Sequence, residues 1–349
     1  TNTSPSRAGR PSHNAWRPAL AAAIVLAGVA GGISVWVAAD VLGGLPHQVD
    51  EVVYLLQARW LLDGEVAPAA TAIQDHLRVP FTYLVDGRWI GHYPVGWPAV
   101  LAVGLAVGAP HLVNSVLGAI FILMAFLVGR EVDGELTGLA AAMLATTSPL
   151  IRLLSASMFP HLACAVLVSL ALWFVLLARR RPRWWWGAGA GLAMGCCLAV
   201  RPMTAVAVSL VLGAWLVRET LTSERPRPGW ITIAAGVAAG LLASLPTLAH
   251  NAAVTGDAFA LPYSLTTGTM YHPSLVPFGL RNLDAIVLAT SSSLFGWGWP
   301  IAVGGLCAAL SLAFIAIPFL LRRHRPEDLL LLAIVLVVAI GHLPTKAHG

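Results

Sequence analysis

Long apolar stretches are the feature of this sequence that most limits its fold. Several of them reach the roughly 17 to 25 residues that an α-helix needs to cross a hydrocarbon core about 30 Å thick. Charged residues make up 11% of the chain and the mean hydropathy is +0.78, whereas about 25% of the residues in a soluble domain are charged. The stretches lack the alternation of polar and apolar positions that marks membrane β-strands. The sequence therefore predicts an all-α, polytopic transmembrane helical bundle.

Clusters of arginine between the apolar stretches predict the orientation of this bundle, because cytoplasmic loops carry an excess of Lys and Arg. The clusters lie in the polar N-terminal stretch, at Arg130, at 179–183, at 218–227 and at 322–325. About nine spans place every cluster on the cytoplasmic side, together with the N-terminus. These spans are 19–39, 111–129, 136–155, 160–178, 184–200, 203–217, 229–249, 298–321 and 328–343. We expect an integral protein of a bacterial plasma membrane and, since basic clusters between spans explain the formal charge of +5, no nucleic-acid partner.

This orientation divides the chain into a short tail and one membrane domain. Residues 1–18 are expected to form a disordered cytoplasmic tail, and 19–349 the transmembrane domain, with a first outer loop at 40–110 and a second at 250–297. The apolar stretch 94–109 is short and rich in proline, and a crossing there would invert every later arginine cluster. It is therefore predicted to be a juxtamembrane or re-entrant helix. The chemistry of the protein should occur at the outer face.

An acidic pair, Asp50 and Glu51, begins an amphipathic segment soon after the first span. Two carboxylates at the start of a helix can cap it and interact favourably with its dipole. A carboxylate at the membrane interface can also act as a general base that removes a proton from an acceptor hydroxyl. The spacing alone favours capping and leaves both interpretations open.

Arg201 and His161 are the polar residues expected at the outer ends of later spans. An arginine there can reach lipid headgroups, or it can bind the phosphate of a lipid carrier through its guanidinium. His161 can cap the helix that it begins, or it can contact phosphate or a metal. In the outer loops, His92, Tyr93 and Tyr263 offer hydrogen-bonding and stacking surfaces for a sugar, although aromatic residues also anchor proteins at the membrane interface.

Metal and redox chemistry have little support in the sequence. Asp50, Glu51, His92 and His161 could in principle assemble a site for a divalent metal, but no local ligand spacing indicates one, so we predict no metal and no other cofactor. The four cysteines lie in apolar segments without a CxxC spacing and are interpreted as small core residues: Cys164, Cys196, Cys197 and Cys307.

The order of several short motifs resembles the GT-C glycosyltransferases, in particular the bacterial protein-mannosyltransferase-like enzymes that include the lipid A aminoarabinose transferases. The resemblance rests on VDEVVYLLQARWLLDG, HYPVGWPAVLAVG, LVNSVLGAIFILMAFLVGREVDGELTGLAAAMLATTSPL, SASMFPHLACAVLVSLALWFVLL, GLAMGCCLAVRPMTAVAV, HNAAVTGDAFALPYSL and LFGWGWP. These motifs follow one another in this order between residues 49 and 300; each alone is weak. Such enzymes generally continue through further spans, so the resemblance implies that a continuation follows HLPTKAHG.

The resemblance implies a function and a role for each candidate residue. The enzyme would move a sugar from a polyprenyl-phosphate carrier to a hydroxyl of a glycan, lipid or protein acceptor. Asp50 would be the catalytic base and Glu51 its neighbour, while Arg201 would bind the carrier phosphate. The alternatives are a membrane transporter, which should carry more charge within its spans, and a non-catalytic membrane subunit of cell-envelope assembly.

Overall fold

The computed structural model describes residues 16–70, 79–265 and 325–342 of the chain. In these residues the fold is helical apart from one two-stranded hairpin, which confirms the predicted all-α class. The elements are α1 Trp16–Trp36, α2 Val49–Leu62, β1 Thr82–Val85, β2 Arg88–Gly91, α3 Gly96–Ala106, α4 Val113–Asp133, α5 Glu135–Thr147, α6 Pro149–Ala156, α7 His161–Arg180, α8 Trp184–Val200, α9 Pro202–Leu221, α10 Pro226–Thr255 and α11 Pro326–His342. A π-helical turn, Val37–Val41, extends α1.

Five helical segments of the described residues are long and apolar enough to cross a membrane. They are Pro18–Val41, Pro110–Asp133, His161–Arg180, Pro202–Leu221 and Pro226–Thr255, and each overlaps a predicted span. Helix α8 has the predicted bounds but only 17 residues, about 25 Å of helix. Helix α11 overlaps the last predicted span, and the span at 298–321 lies outside the described residues.

The span predicted at 136–155 is broken in the structure, which divides it into α5 and α6 with a bend of 62° between them. Pro149 causes the break, since proline disfavours helical geometry in the residue before it. Ser148 is accordingly extended, with φ −67° and ψ 119°, and its hydroxyl caps the new helix. Counting this bent pair as one crossing raises the number of candidate spans in the described residues to six.

The first long loop contains α2, the hairpin and α3. The hairpin is absent from the sequence-based prediction, although Asp86–Gly87 gives a signal for it: both residues have positive φ, 50° and 72°, as a two-residue type I′ turn requires. Helix α3 has 11 residues, about 16 Å of helix. Its length agrees with the prediction that 94–109 is too short to cross, and its position in a membrane stays a prediction.

One end of the bundle is rich in ion pairs, and we call it the arginine end. Arg179 pairs with Glu219 at 3.1 Å and also with Glu327, while Arg180 pairs with Glu131 at 3.2 Å. A further pair joins Arg325 to Asp133. The carboxyl ends of α4, α7 and α9 and the start of α11 therefore lie together.

Helix α10 runs alongside α8 and connects the arginine end to the first loop. Its last turns pack Val254 against Ala67 and Ile90, and Arg88 Nη1 donates a hydrogen bond to the carbonyl of Ala253 at 3.3 Å. Residues 250–255, predicted as part of the second loop, are therefore helical. The remainder of that loop after residue 265 lies outside the described residues.

The cysteines only partly match the prediction of a core position. Cys164 and Cys197 are buried, with 3.6 Å between their sulfur atoms. Cys196 is exposed on the other side of α8, because neighbouring residues of a helix point in different directions. Cys307 lies outside the described residues.

Candidate functional site

Glu51 connects the first loop to the turn before α7. Its side chain is 2% exposed. One carboxylate oxygen accepts hydrogen bonds from the backbone N–H groups of His47 at 2.6 Å and Gln48 at 3.0 Å, and the other accepts one from Met158 N–H at 2.7 Å. Glu51 thus caps α2, as the capping interpretation expects, and also holds a segment 107 positions further along the chain.

Two further side chains hold the same segment, Ser157–Phe159. Trp97 Nε1 donates to the carbonyl of Met158 at 2.8 Å, and Asn114 Nδ2 donates to the carbonyls of Ser157 at 2.7 Å and Phe159 at 2.8 Å. Neither Trp97 nor Asn114 was singled out from the sequence. Because Glu51, Trp97 and Asn114 are buried, the start of α7 is fixed relative to α2, α3 and α4.

Asp50 lies beside Glu51 but faces a different environment. It is half-buried, and one of its oxygens accepts a hydrogen bond from the Tyr93 hydroxyl at 2.5 Å. Burial raises the pKa of Tyr93, and the hydrogen bond to Asp50 raises it further. Tyr93 therefore stays protonated and acts as the donor, and the second oxygen of Asp50 has no hydrogen bond to the described residues.

An aromatic cluster surrounds Tyr93. The ring of Tyr54 lies 4.4 Å from that of Tyr93, and the ring of His92 lies 4.4 Å from that of Tyr263. Tyr83 and His92 share a hydrogen bond of 3.0 Å at the imidazole Nδ1. Burial lowers the pKa of His92 from 6.5 to about 4, so at neutral pH this imidazole is uncharged and can both donate and accept a hydrogen bond.

Arg201 lies between α8 and α9, where the following Pro202 disfavours continuation of the helix. Its backbone is extended, with φ −144° and ψ 85°, and among the described residues it has no ion pair. Burial raises the pKa of Tyr54; the negative charge of Asp50 raises it further and the positive charge of Arg201 lowers it. Both charges therefore act on the same phenol.

The structure thus brings most of the predicted residues to one end of the bundle, opposite the arginine end. Asp50, His92, Tyr93 and Tyr263 form one contiguous group. His161 begins α7 directly after the segment that Glu51 holds, with its ring 5.6 Å from that of Phe159. Arg201 follows two residues after Ala199, whose backbone would be 2.6 Å from a Cβ on Gly96, three residues after Tyr93. Its charge acts on Tyr54, a residue that the sequence-based prediction missed.

A metal is not suggested by the part of the chain that the structure describes. No three His, Cys, Asp or Glu side chains come close enough there to hold one. Glu51, one of the four possible ligands considered, has both oxygens bonded to backbone N–H groups. That the protein uses no cofactor stays a prediction.

Comparison with known proteins gives a family match and a structural match. Residues 103–250 match the family described as dolichyl-phosphate-mannose-protein mannosyltransferase. In structure the chain is similar to the oligosaccharyltransferase of Archaeoglobus fulgidus in its apo form, with a TM-score of 0.41 and 14% sequence identity, over 94% of this chain and 56% of that chain. This chain therefore spans little more than half the length of that enzyme. Curated proteins give no significant sequence match.

The family match confirms the predicted resemblance to membrane glycosyltransferases of the GT-C type. It agrees with the apolar helices in indicating an integral membrane protein.

Proposed function

We propose that the protein transfers a sugar from a polyprenyl-phosphate carrier to an acceptor hydroxyl at the outer membrane face, with Asp50 as the base. The matched family is described by a lipid-phosphate-linked mannose donor, which supports this donor class. The observation that carries the proposal is that the charges of Asp50 and Arg201 both act on one buried phenol, Tyr54. Among the described residues, one oxygen of Asp50 has no hydrogen-bond partner and Arg201 has no ion pair. The acceptor is a glycan, a lipid or a protein.

The reaction needs a base on one side of the anomeric carbon and positive charge on the other. Asp50 removes the proton from the acceptor hydroxyl as that oxygen forms its bond to the anomeric carbon. The bond between this carbon and the phosphate oxygen breaks, and the electron pair leaves with the polyprenyl phosphate. Because phosphate leaves as a stable anion, a second acid to protonate it is not required.

Tyr93 acts on the base, Asp50, and Arg201 acts on the leaving phosphate. The hydrogen bond from Tyr93 fixes the Asp50 side chain and leaves its second oxygen for the acceptor. Arg201 neutralises the phosphate, to which a guanidinium can donate two parallel hydrogen bonds. In this proposal Glu51 is a positioning residue, since its oxygens are occupied by the backbone, and it holds the turn that leads to His161.

The test separates turnover from carrier binding in purified protein. We expect Asp50→Asn to lower kcat by about 100-fold or more, because a general base contributes at least that factor, while the affinity for polyprenyl phosphate is unchanged. Arg201→Ala should weaken that affinity by about 10-fold or more, because it removes the partner of a charge-assisted contact. Both affinities can be measured with the unglycosylated carrier in lipid nanodiscs.

Asp63→Asn is the matched control, because Asp63 follows the same helix and forms only an exposed pair with Arg59 at 3.2 Å. It should leave both kcat and carrier affinity unchanged. Full transferase activity in Asp50→Asn, or carrier affinity that is independent of Arg201, would refute the corresponding role.

A further inference from the structure

The last turns of α10 carry a buried polar face that the proposed reaction does not yet use. Thr247, His250 and Asn251 follow one another at helical spacing, so that they lie on one side of the helix. Their exposed fractions are 2%, 7% and 2%. The apolar residue one turn later, Val254, continues the same buried face.

Four polar atoms of this face have no hydrogen-bond partner in the described part of the chain. They are Thr247 Oγ1, His250 Nδ1, His250 Nε2 and Asn251 Oδ1. The amide nitrogen of Asn251, by contrast, donates to the carbonyl of Ala258 at 3.2 Å. Buried polar atoms are nearly always bonded, because burial without a partner is costly. A cluster of four such atoms therefore points to a ligand that supplies their partners.

The helix turns before and after these three residues pack on α8 and on the hairpin. Val254, one turn after His250, packs on Ile90 at the end of the hairpin. In the other direction, Ala243 lies one turn before Thr247 and against Gly195 of α8, where a Cβ on the glycine would be 2.6 Å from the Cβ of Ala243.

The carboxyl end of α8 packs against the start of α3. A Cβ on Gly96, at the start of α3, would be 2.6 Å from the backbone of Ala199, and Arg201 follows two residues later. The polar face of α10 therefore begins one turn beyond the contact with Gly195 of α8 and ends one turn before the contact with the hairpin, at the same end of the bundle as Arg201.

The free atoms define the chemistry of the ligand. Asn251 Oδ1 is only an acceptor, so it needs a donor from the ligand. A phosphate monoester offers acceptors almost exclusively, so it would leave Asn251 Oδ1 unpaired and close to negative charge. Hydroxyl groups both donate and accept, so they can pair with the amide oxygen, with the Thr247 hydroxyl and with the imidazole nitrogens of His250.

We propose that Thr247, His250 and Asn251 form a subsite that binds hydroxyl groups of the sugar on the carrier. The inference rests on the proposed function and divides the donor between two sites: the phosphate is bound by Arg201 and the sugar by α10. The subsite thus supplies the part of the donor affinity that depends on the sugar.

The experiment measures the contribution of the sugar to donor affinity. It is the ratio of the dissociation constant for the bare carrier to that for the glycosylated carrier, with the protein in nanodiscs. One probe is bare polyprenyl phosphate, and the others are polyprenyl phosphates that bear a neutral hexose or an amino sugar. We expect at least one glycosylated probe to bind the wild type about 10-fold or more tightly than the bare carrier. Thr247→Val and His250→Phe should each reduce this ratio by about 3- to 10-fold, roughly the value of one hydrogen bond, without changing the affinity for the bare carrier.

Ser244→Ala is the matched control. Its hydroxyl lies one turn before Thr247 but already donates to the carbonyl of Gly240 at 2.8 Å, so its removal should leave the ratio unchanged. Thr247→Val preserves side-chain shape and therefore tests the subsite even if His250→Phe disturbs the fold.

The outcomes separate the subsite from the function on which it rests. A wild type that binds glycosylated and bare carriers equally, or variants that keep the wild-type ratio, would overturn the subsite. Variants that lose affinity for both probes in equal measure would also overturn it, since that result reflects altered packing alone. A wild type that binds neither probe would instead overturn the proposed function.

Discussion

Two adjacent acidic residues have different surroundings, and the difference shows where residue-level prediction stops. Asp50 is half-buried, and one of its oxygens has no hydrogen-bond partner in the part of the chain that the structure describes. Glu51 is enclosed by three backbone donors. Successive positions of a helix point about 100° apart, so one carboxylate can face the site while the next faces the protein. The sequence predicts that an acidic pair is important but does not separate the two roles.

Glu51→Gln should therefore act on stability as well as on activity. An amide cannot accept on its nitrogen, so the substitution replaces one acceptor with a donor that faces backbone N–H groups. Since hydrogen bonds to charged groups contribute about 1.5–3 kcal/mol each, we expect a loss of roughly that size, seen as a clearly lower Tm in detergent. Asp50→Asn is the comparison, and its Tm should stay near that of the wild type. Equal Tm values for both variants would contradict the positioning role of Glu51.

Individual residues of the candidate site could be predicted from the sequence, but the contacts between them could not. Asp50, Tyr93 and Arg201 were each identified from residue type and place in the chain. Tyr54 was predicted only as part of the amphipathic segment that the acidic pair begins, because nothing in a single sequence indicates that its ring lies 4.4 Å from that of Tyr93. Such contacts depend on tertiary packing between distant parts of the first loop.

At the scale of elements, the close pairing of α8 and α10 depends on glycine. A Cβ on Gly191 would overlap the carbonyl oxygen of Gly236, and a Cβ on Gly187 that of Thr232. Small residues allow membrane helices to approach closely. This pairing affects the site because it fixes the position of α10 along the axis of α8, and therefore the position of the polar face of α10 relative to the carboxyl end of α8.

Gly191→Ala should loosen this pairing, because the added methyl group has no space. Overpacking typically costs about 1–3 kcal/mol, so the Tm should fall. Gly213→Ala in α9 is a control with the same chemical change, since a Cβ there would meet nothing within 4 Å. That variant should be neutral or slightly more stable, because alanine favours helix more than glycine. A similar loss of Tm in both variants would exclude the packing explanation.

Helix positions could be predicted from apolar length, but breaks and turns needed local chemistry. The helix Trp184–Val200 has the bounds predicted for the span at 184–200, since arginines and a proline flank it. The break at Pro149 and the turn at Asp86–Gly87 were missed, although proline and Asp-Gly are local signals for them. A hydropathy average over a long window hides sequence motifs that are only two residues long.

At the scale of the whole molecule, charge separates the two ends of the bundle. The arginine end joins four elements through ion pairs such as Arg179 with Glu219. The opposite end gathers Asp50, the aromatic cluster and Arg201. The alternating directions of the predicted spans already imply this separation, because the arginine clusters lie at the cytoplasmic ends of predicted spans. The sequence could not show that acidic residues at the arginine end pair with these clusters.

The separation predicts which end faces the cytoplasm. Positive charge is retained on the cytoplasmic side, so the arginine end should lie inside and the site outside. Glu65, in the first loop, and Ser223, between α9 and α10, are both exposed and provide one probe for each end. In a variant without the native cysteines, Glu65→Cys should react with a membrane-impermeant maleimide on intact cells. Ser223→Cys should react only after the membrane is permeabilised.

The reverse pattern would place the site in the cytoplasm and refute the outward-facing reaction. Labelling of both cysteines in intact cells would contradict the predicted separation of the two ends by the membrane.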